Sequence, residues 1–297
     1  MRGTAHRWRA DLALIAISFV WGATFVIVKE ALKDASTLLF LALRFTLATL
    51  ALAVIFRPLS SKLEPPRVVL RGGAAAGLLL FAGYALQTVG LRYTTASKSA
   101  FITGLCIVLV PVLGALFWRR APSRAEVLGV VVATAGLALL TLPAGSLRIG
   151  RGDLLTVGCA VAFAAHVLVV GHFAPRIGFQ ALTLVQVAVA GVLALGTFWW
   201  AEPIQVRWSP RLVVALLITG LLATALAFSL QAWAQQSTTP TRTALILALE
   251  PVFACATSYV VEGEVLPPRG VAGAVLILAG IVIVELRSHA APAAPPH

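Results

Sequence analysis

Charge is what this sequence has least of. Only 11% of its 297 residues are Asp, Glu, Lys or Arg, and 60% are hydrophobic, whereas a soluble domain carries roughly 25% and 45–50%. So few charges cannot coat a globule of this length, which excludes an ordinary cytosolic enzyme. Cysteine is nearly missing as well. Cys106, Cys159 and Cys255 are odd in number, lie inside apolar runs and show neither CxxC nor Cys/His spacing, so neither a metal centre nor another cofactor is expected. None of the four lysines follows a glycine, which removes the GxxxxGK[ST] phosphate loop and with it an ATP-driven pump. HExxH and GxSxG are absent too. Asp11, Asp34 and Asp153 lie at the ends of apolar runs, leaving no acid pair for hydrolysis inside a bilayer.

What the chain has instead is a series of apolar runs of about 20 residues, the length at which a helix crosses the hydrocarbon core. Ten are read, near 11–29, 37–56, 72–91, 96–118, 126–142, 153–173, 181–200, 211–234, 240–261 and 269–286. They predict an all-α membrane protein with ten transmembrane helices and short linkers. Leu12–Val28 is longer than a signal-peptide core and has a later counterpart, so it is read as a retained span. The net charge of +12 is spread over the linkers and not gathered into a nucleic-acid-binding stripe. The expected partners are membrane lipid and a small-molecule substrate, with the protein a monomer and an oligomer left open. Alternate linkers carry thirteen and nine basic residues, and the richer set lies on the side of the N-terminus, which puts both termini in the cytoplasm.

The runs are written twice. Setting Phe19–Val26 beside Val161–Leu168 pairs Trp21 with Phe163 and Thr24 with His166, and the same offset pairs Arg44 with Gln186. Ala100–Pro111 matches Pro240–Pro251, pairing Thr103 with Thr243, and Gly129–Gly136 resembles Gly273–Gly280. The organisation read from this is a tail over 1–10, a first five-helix repeat over 11–142, a linker over 143–152, a second repeat over 153–286 and a disordered Pro- and Ala-rich tail over 287–297. An odd number of spans per repeat makes the second copy enter from the opposite side. Inverted repeats are the plan of alternating-access carriers.

Polar side chains inside lipid-crossing helices need a partner or a cavity. Tyr84, Gln87 and Thr88 share one face of the third run, Ser99 and Thr103 one of the fourth, and Thr224, Gln231 and Gln235 one of the eighth. With Trp21, Thr24, Phe163, His166, Phe228 and Thr243 they outline a candidate substrate-binding chamber. Amides and hydroxyls accept an ammonium and a carboxylate alike, and the rings wall a side chain, which suits a neutral or zwitterionic guest. The same polar groups also serve as glue between helices. His166 and Glu250 are candidate proton sites, and Arg44, about 10 Å from the end of its run, can snorkel or bind a helix carbonyl. Pro111 and Pro251, at matched depths, are candidate gating kinks. Gly73, Gly77, Gly129 and Gly136 are read as sites of close helix packing.

Phe19-Val-Trp-Gly22 in the first run, Arg44 in the second, Tyr93-Thr-Thr-Ala-Ser97 before the fourth and Leu249-Glu-Pro-Val-Phe253 in the ninth resemble the EamA branch of the drug/metabolite transporter superfamily. The resemblance spans about residues 11–286 and is most like the YddG-type exporters of aromatic and other neutral amino acids. Two departures stand out: Phe163-Ala164 replaces the Trp-Gly of the first copy, and Pro111 lacks the acidic residue that precedes Pro251. The resemblance implies a secondary transporter, not an enzyme, that exports small metabolites across the bacterial inner membrane through a cavity between its halves by alternating access. A multidrug or cation efflux carrier, a channel and a membrane-embedded enzyme are the alternative readings.

Overall fold

A computed structural model describes residues 2–56, 66–94, 96–119, 121–142, 149–262 and 267–288. The first half comprises α1 (Arg2–Ala31), α2 (Thr37–Phe56), α3 (Pro66–Gly90), α4 (Ala96–Gly104), α5 (Cys106–Trp118) and α6 (Arg124–Thr141). The second comprises α7 (Arg151–Ile177), α8 (Phe179–Ala201), α9 (Pro210–Leu217), a π-helical segment (Ile218–Leu226), α10 (Ala227–Ala234), α11 (Pro240–Leu247), α12 (Glu250–Glu262) and α13 (Pro268–Ser288). Among the described residues, six stretches are long and apolar enough to cross a membrane: α2, α3, α6, α7, α8 and the continuous Pro210–Ala234. Phe101–Phe117 and Pro268–Val284 are shorter apolar helices.

Three details differ from the sequence reading. Helix α1 begins at Arg2, so residues 2–10 of the expected tail are helical. The ninth run divides between Leu247 and Glu250. Pro251 has no N–H, and its ring collides with the carbonyl four residues earlier, on Leu247, which is where α11 stops. The fourth run also divides, but ahead of its proline: Pro111 lies within α5, and the interruption falls at Leu105, whose N–H is shared between the carbonyls of Phe101 and Ile102 at 3.2 Å each. The break in this run therefore lies more than a turn from Pro111. Residues 143–148 of the expected linker and 289–297 of the tail lie outside the described residues.

Small side chains let the helices approach. Helix α6 crosses α13 through reciprocal glycines: a Cβ on Gly136 would lie 2.5 Å from the Gly273 carbonyl oxygen, and one on Gly273 2.6 Å from that of Gly136. Gly129 and Gly280 repeat the arrangement at 2.7 and 2.6 Å. Helix α3 packs on α7 and α8, α2 on α8 and the π segment, α7 on α4 and α5, and α1 on the π segment and α10 to α12. Large apolar side chains such as Leu50, Val54, Leu116 and Val275 point outward, the reverse of a soluble core and the arrangement lipid favours. Trp199, Trp200, Trp208 and Tyr93 are exposed near one end, where such rings anchor a protein at the membrane interface.

Ion pairs join the two halves at both ends. At the end where α1 finishes, the buried carboxylate of Asp34 accepts from Arg207 at 2.6 Å, Arg211 at 2.9 Å and Ser209 at 2.6 Å. The Ser209 hydroxyl first, then Arg211 and Arg207, hold that carboxyl well below the usual carboxylate range. Nearby, Glu202 accepts the N–H groups of Thr37, Leu38 and Leu39, satisfying orphan donors that open α2, and pairs with Arg92 at 2.9 Å. At the opposite end, Arg242 grips Asp11 with two parallel bonds of 3.0 and 2.5 Å.

Candidate functional site

Two-thirds of the way along α1, Trp21 begins a run of rings that joins the two halves. Its ring centroid lies 5.4 Å from Phe228 of α10; Phe228 lies 6.4 Å from Tyr84 of α3, and Tyr84 lies 5.4 Å from Phe163 of α7. Phe45 of α2 meets Tyr84 edge-on at 5.6 Å, and His166, one turn beyond Phe163, meets Phe228 at 5.7 Å. Five of these six, all but Phe45, were candidate lining residues by sequence. The structure brings them together from both halves.

Arg44 supplies the polar centre. It is only 4% exposed, its guanidinium lies 4.8 Å from the Tyr84 ring centroid, and its Nη2 donates to the Tyr84 hydroxyl at 3.2 Å. Nε donates to Thr224 at 2.6 Å, and Nη2 also reaches the Ala223 carbonyl at 3.2 Å. Trp21 Nε1 donates to that same carbonyl at 2.8 Å. The π register explains why it is available. The Ala227 N–H reaches back five residues to Leu222, so where the wide turn returns to α geometry one carbonyl loses its usual intrahelical donor. Ala223 takes two side-chain donors instead.

The other candidates divide into two groups. Gln87 bridges α3 to α4 by donating to Thr103 at 3.3 Å, and Thr103 lies 3.8 Å from Cys159 Sγ, a turn from Phe163. His166 pairs with Gln186 at 2.8 Å, Gln231 donates to Gln235 at 3.2 Å, and Gln235 donates to the Val167 carbonyl at 2.8 Å. Thr24 and Thr88 instead bond back to carbonyls of their own helices, on Trp21 and Tyr84. Ser99 is buried on α4. Among the described residues, Gln231 Oε1, Gln186 Nε2 and Thr243 Oγ1 are buried without a hydrogen-bond partner. Such vacancies cost free energy, and a polar guest can fill them.

Beside the ring of Phe45, Arg44 and Gln186 are the residues that the candidate lining set lacked. The signal for Arg44 and Gln186 lay in the repeat, which aligns them with each other; the carbonyl that Arg44 binds could not be read, because a π turn has no spacing of its own. Among the described residues, no group of His, Cys, Asp and Glu can hold a metal ion. Two recesses lie at opposite ends, one of about 430 Å³ against Ile27, Glu30 and Arg211 and one of about 30 Å³ against Pro111, Glu126 and Pro240; neither is lined by the rings.

Rings, amides and one guanidinium are thus enclosed among helices whose large apolar side chains point outward. A solved structure shares this fold with a TM-score of 0.80 at 16% identity, over 96% of this chain and 99% of that one. An uncharacterized transporter of Archaeoglobus fulgidus is 34% identical over 281 residues, 95% of this chain and 87% of its own. The uncharacterized transporter YvbV of Bacillus subtilis is 26% identical over 96% of this chain and 94% of its own, and a probable terminal-alkyne amino-acid exporter of Streptantibioticus cattleyicolor is 26% identical over 94% of each. The family model for EamA-like transporters matches residues 8–142 and 150–286. The chain is a multi-pass membrane transporter and belongs to the EamA-like transporter family.

Proposed function

We propose that the protein is a secondary carrier that exports small neutral or zwitterionic metabolites, amino acids with aromatic side chains among them, across the bacterial inner membrane by alternating access. In this reading α1 and the α11–α12 pair complete ten spans, the repeats over 11–142 and 153–286 are inverted, and both termini are cytoplasmic.

One observation carries it: the ring cluster is built twice. Trp21 on Phe228 and Phe163 on Tyr84 share a centroid separation of 5.4 Å, and Trp21 and Phe163 are the residues that the repeat aligns. Each half thus places its aligned ring against a ring of the other half. The packing obeys an exchange of the halves, since α1 on the π segment and α10 becomes α7 on α3, and α6 on α13 is its own image. So do the ends. Asp11 opens the first repeat and holds Arg242 of the second; Asp153, its aligned residue, holds Thr94 of the first at 2.5 Å on the opposite face. Contacts between the halves on opposite faces are what a carrier opens in turn. The match of one family model to both halves and the relative named as a probable amino-acid exporter support the duplication and the cargo.

The test is flux of labelled amino acids into vesicles containing the purified protein, with and without a pH gradient. Saturable uptake, accelerated by unlabelled amino acid on the far side, is expected. Unsaturable flux without countertransport would make it a channel, and preference for lipophilic cations a multidrug carrier. A pH dependence lost in His166→Gln or Glu250→Gln would identify the proton site.

A further inference from the structure

Two opposite charges stand at the centre of the fold without pairing. Arg44, from the first half, spends Nε and Nη2 on a hydroxyl, a phenol and a carbonyl, all neutral, and its Nη1 makes no hydrogen bond among the described residues. Glu250, from the second half, opens α12 and accepts no hydrogen bond from a side chain among the described residues. The two interact electrostatically with each other, and both act on Tyr84. Helix α1 touches the surroundings of both: the Trp21 indole shares the Ala223 carbonyl with Arg44, and the next residue, Gly22, packs so closely that a Cβ there would lie 2.6 Å from the backbone carbonyl oxygen of Glu250.

Ionised groups in a low-dielectric interior are stable only when paired, and these two are near enough to feel each other yet form no ion pair. We propose that Arg44 and Glu250 are the two poles of a zwitterion site, Arg44 taking the carboxylate of an α-amino acid and Glu250 its ammonium, with the side chain against the rings of Trp21, Tyr84 and Phe228. The proposal rests on the carrier reading above and names its cargo's head group. The geometry of Arg44 fits the task. Its Nε bond to Thr224, 2.6 Å long, fixes the stem, whereas the two Nη2 contacts, at 3.2 Å, are long beside the roughly 2.7–2.9 Å of a guanidinium on a carboxylate. The Nη1–Nη2 edge therefore gains by exchanging a phenol and a carbonyl for a bidentate carboxylate. Charge also selects: a guest lacking either head group leaves one buried charge unmatched, whereas amides and hydroxyls alone would accept it.

The experiment measures displacement of labelled L-phenylalanine, L-leucine and L-glutamine from the full chain in lipid nanodiscs by each parent amino acid, its methyl ester and its N-acetyl derivative. On the wild-type protein, ester and N-acetyl derivative should compete at least tenfold more weakly than the parent. Glu250→Gln should weaken the parent at least tenfold and leave the N-acetyl derivative within twofold; Arg44→Gln should do the same to the parent and spare the ester. Arg44→Lys, charged but without the fork, should fall between. Equal competition by all three ligands on the wild type overturns the proposal without recourse to any variant, as does a loss of all three in equal proportion in folded variants. Saturable flux of other solutes with no binding of these amino acids removes the zwitterion site and leaves the carrier; no saturable flux of any solute removes the carrier.

Discussion

Glu202 is the side chain whose removal tests most directly how the two halves are tied at one end. Its carboxylate comes from just beyond α8 and accepts the N–H groups of Thr37 at 3.1 Å, Leu38 at 2.5 Å and Leu39 at 3.0 Å, with Arg92 Nη2 at 2.9 Å. The residue is 9% exposed. Each hydrogen bond to a charged group is worth about 1.5–3 kcal/mol net, but these bonds share one charge, and water at the membrane surface reaches amides left bare, so their sum overshoots. Breaking a buried pair costs about 3–5 kcal/mol, and Glu202→Ala should fall in that range. Glu202→Gln keeps one oxygen for the amides and turns its NH₂ toward other donors, so about 2 kcal/mol is expected. Arg92 is half exposed, so Arg92→Gln should cost about 1 kcal/mol or less. Unfolding of the purified protein in mixed micelles measures all three, and the Glu202→Gln/Arg92→Gln double variant measures their coupling. A Glu202→Gln protein within about 0.5 kcal/mol of wild type would refute the assignment of this carboxylate as the cap of α2.

The Asp34 cluster makes stability depend on acid. Because the folded carboxyl titrates well below its usual range, its contribution is complete above the unfolded value of about 4 and is lost as pH falls from there toward the folded value. Melting curves of wild type and Asp34→Asn should differ at neutral pH and converge in acid; a constant gap would remove the ion cluster as the cause. Gly136→Val places a side chain 2.5 Å from the Gly273 carbonyl, so α6 and α13 must separate at a cost of about 1–3 kcal/mol or more. A thiol cross-link between those helices should then form poorly, and unchanged cross-linking would show that the crossing tolerates a side chain. Trp21→Phe keeps a ring on Phe228 but loses the bond to Ala223, about 1 kcal/mol or roughly fivefold in KM if the bond persists with substrate bound; identical uptake would take the indole N–H out of the site.

Helices were legible wherever composition alone compels them. A run such as Thr37–Phe56 has no way to satisfy its backbone in lipid except as a helix, and Gly129 and Gly136 marked α6 for close packing, though not α13 as the helix that meets it. The break before Pro251 was legible for the same local reason. The break at Leu105 was not, since Pro111 carries the visible signal and the interruption lies more than a turn away.

The site divides along the same line. Which rings and polar groups the interior holds is a matter of sequence, and the repeat already aligned Trp21 with Phe163 and Arg44 with Gln186. That Arg44 ends on neutral acceptors while Glu250 stands within its field in the other half was decided by tertiary structure. Burial in lipid and helical hydrogen bonding act on each segment separately and can be read along the chain. The register of a π turn and the pairing of charges across two halves depend on contacts between segments far apart in sequence, and only the folded chain selects them.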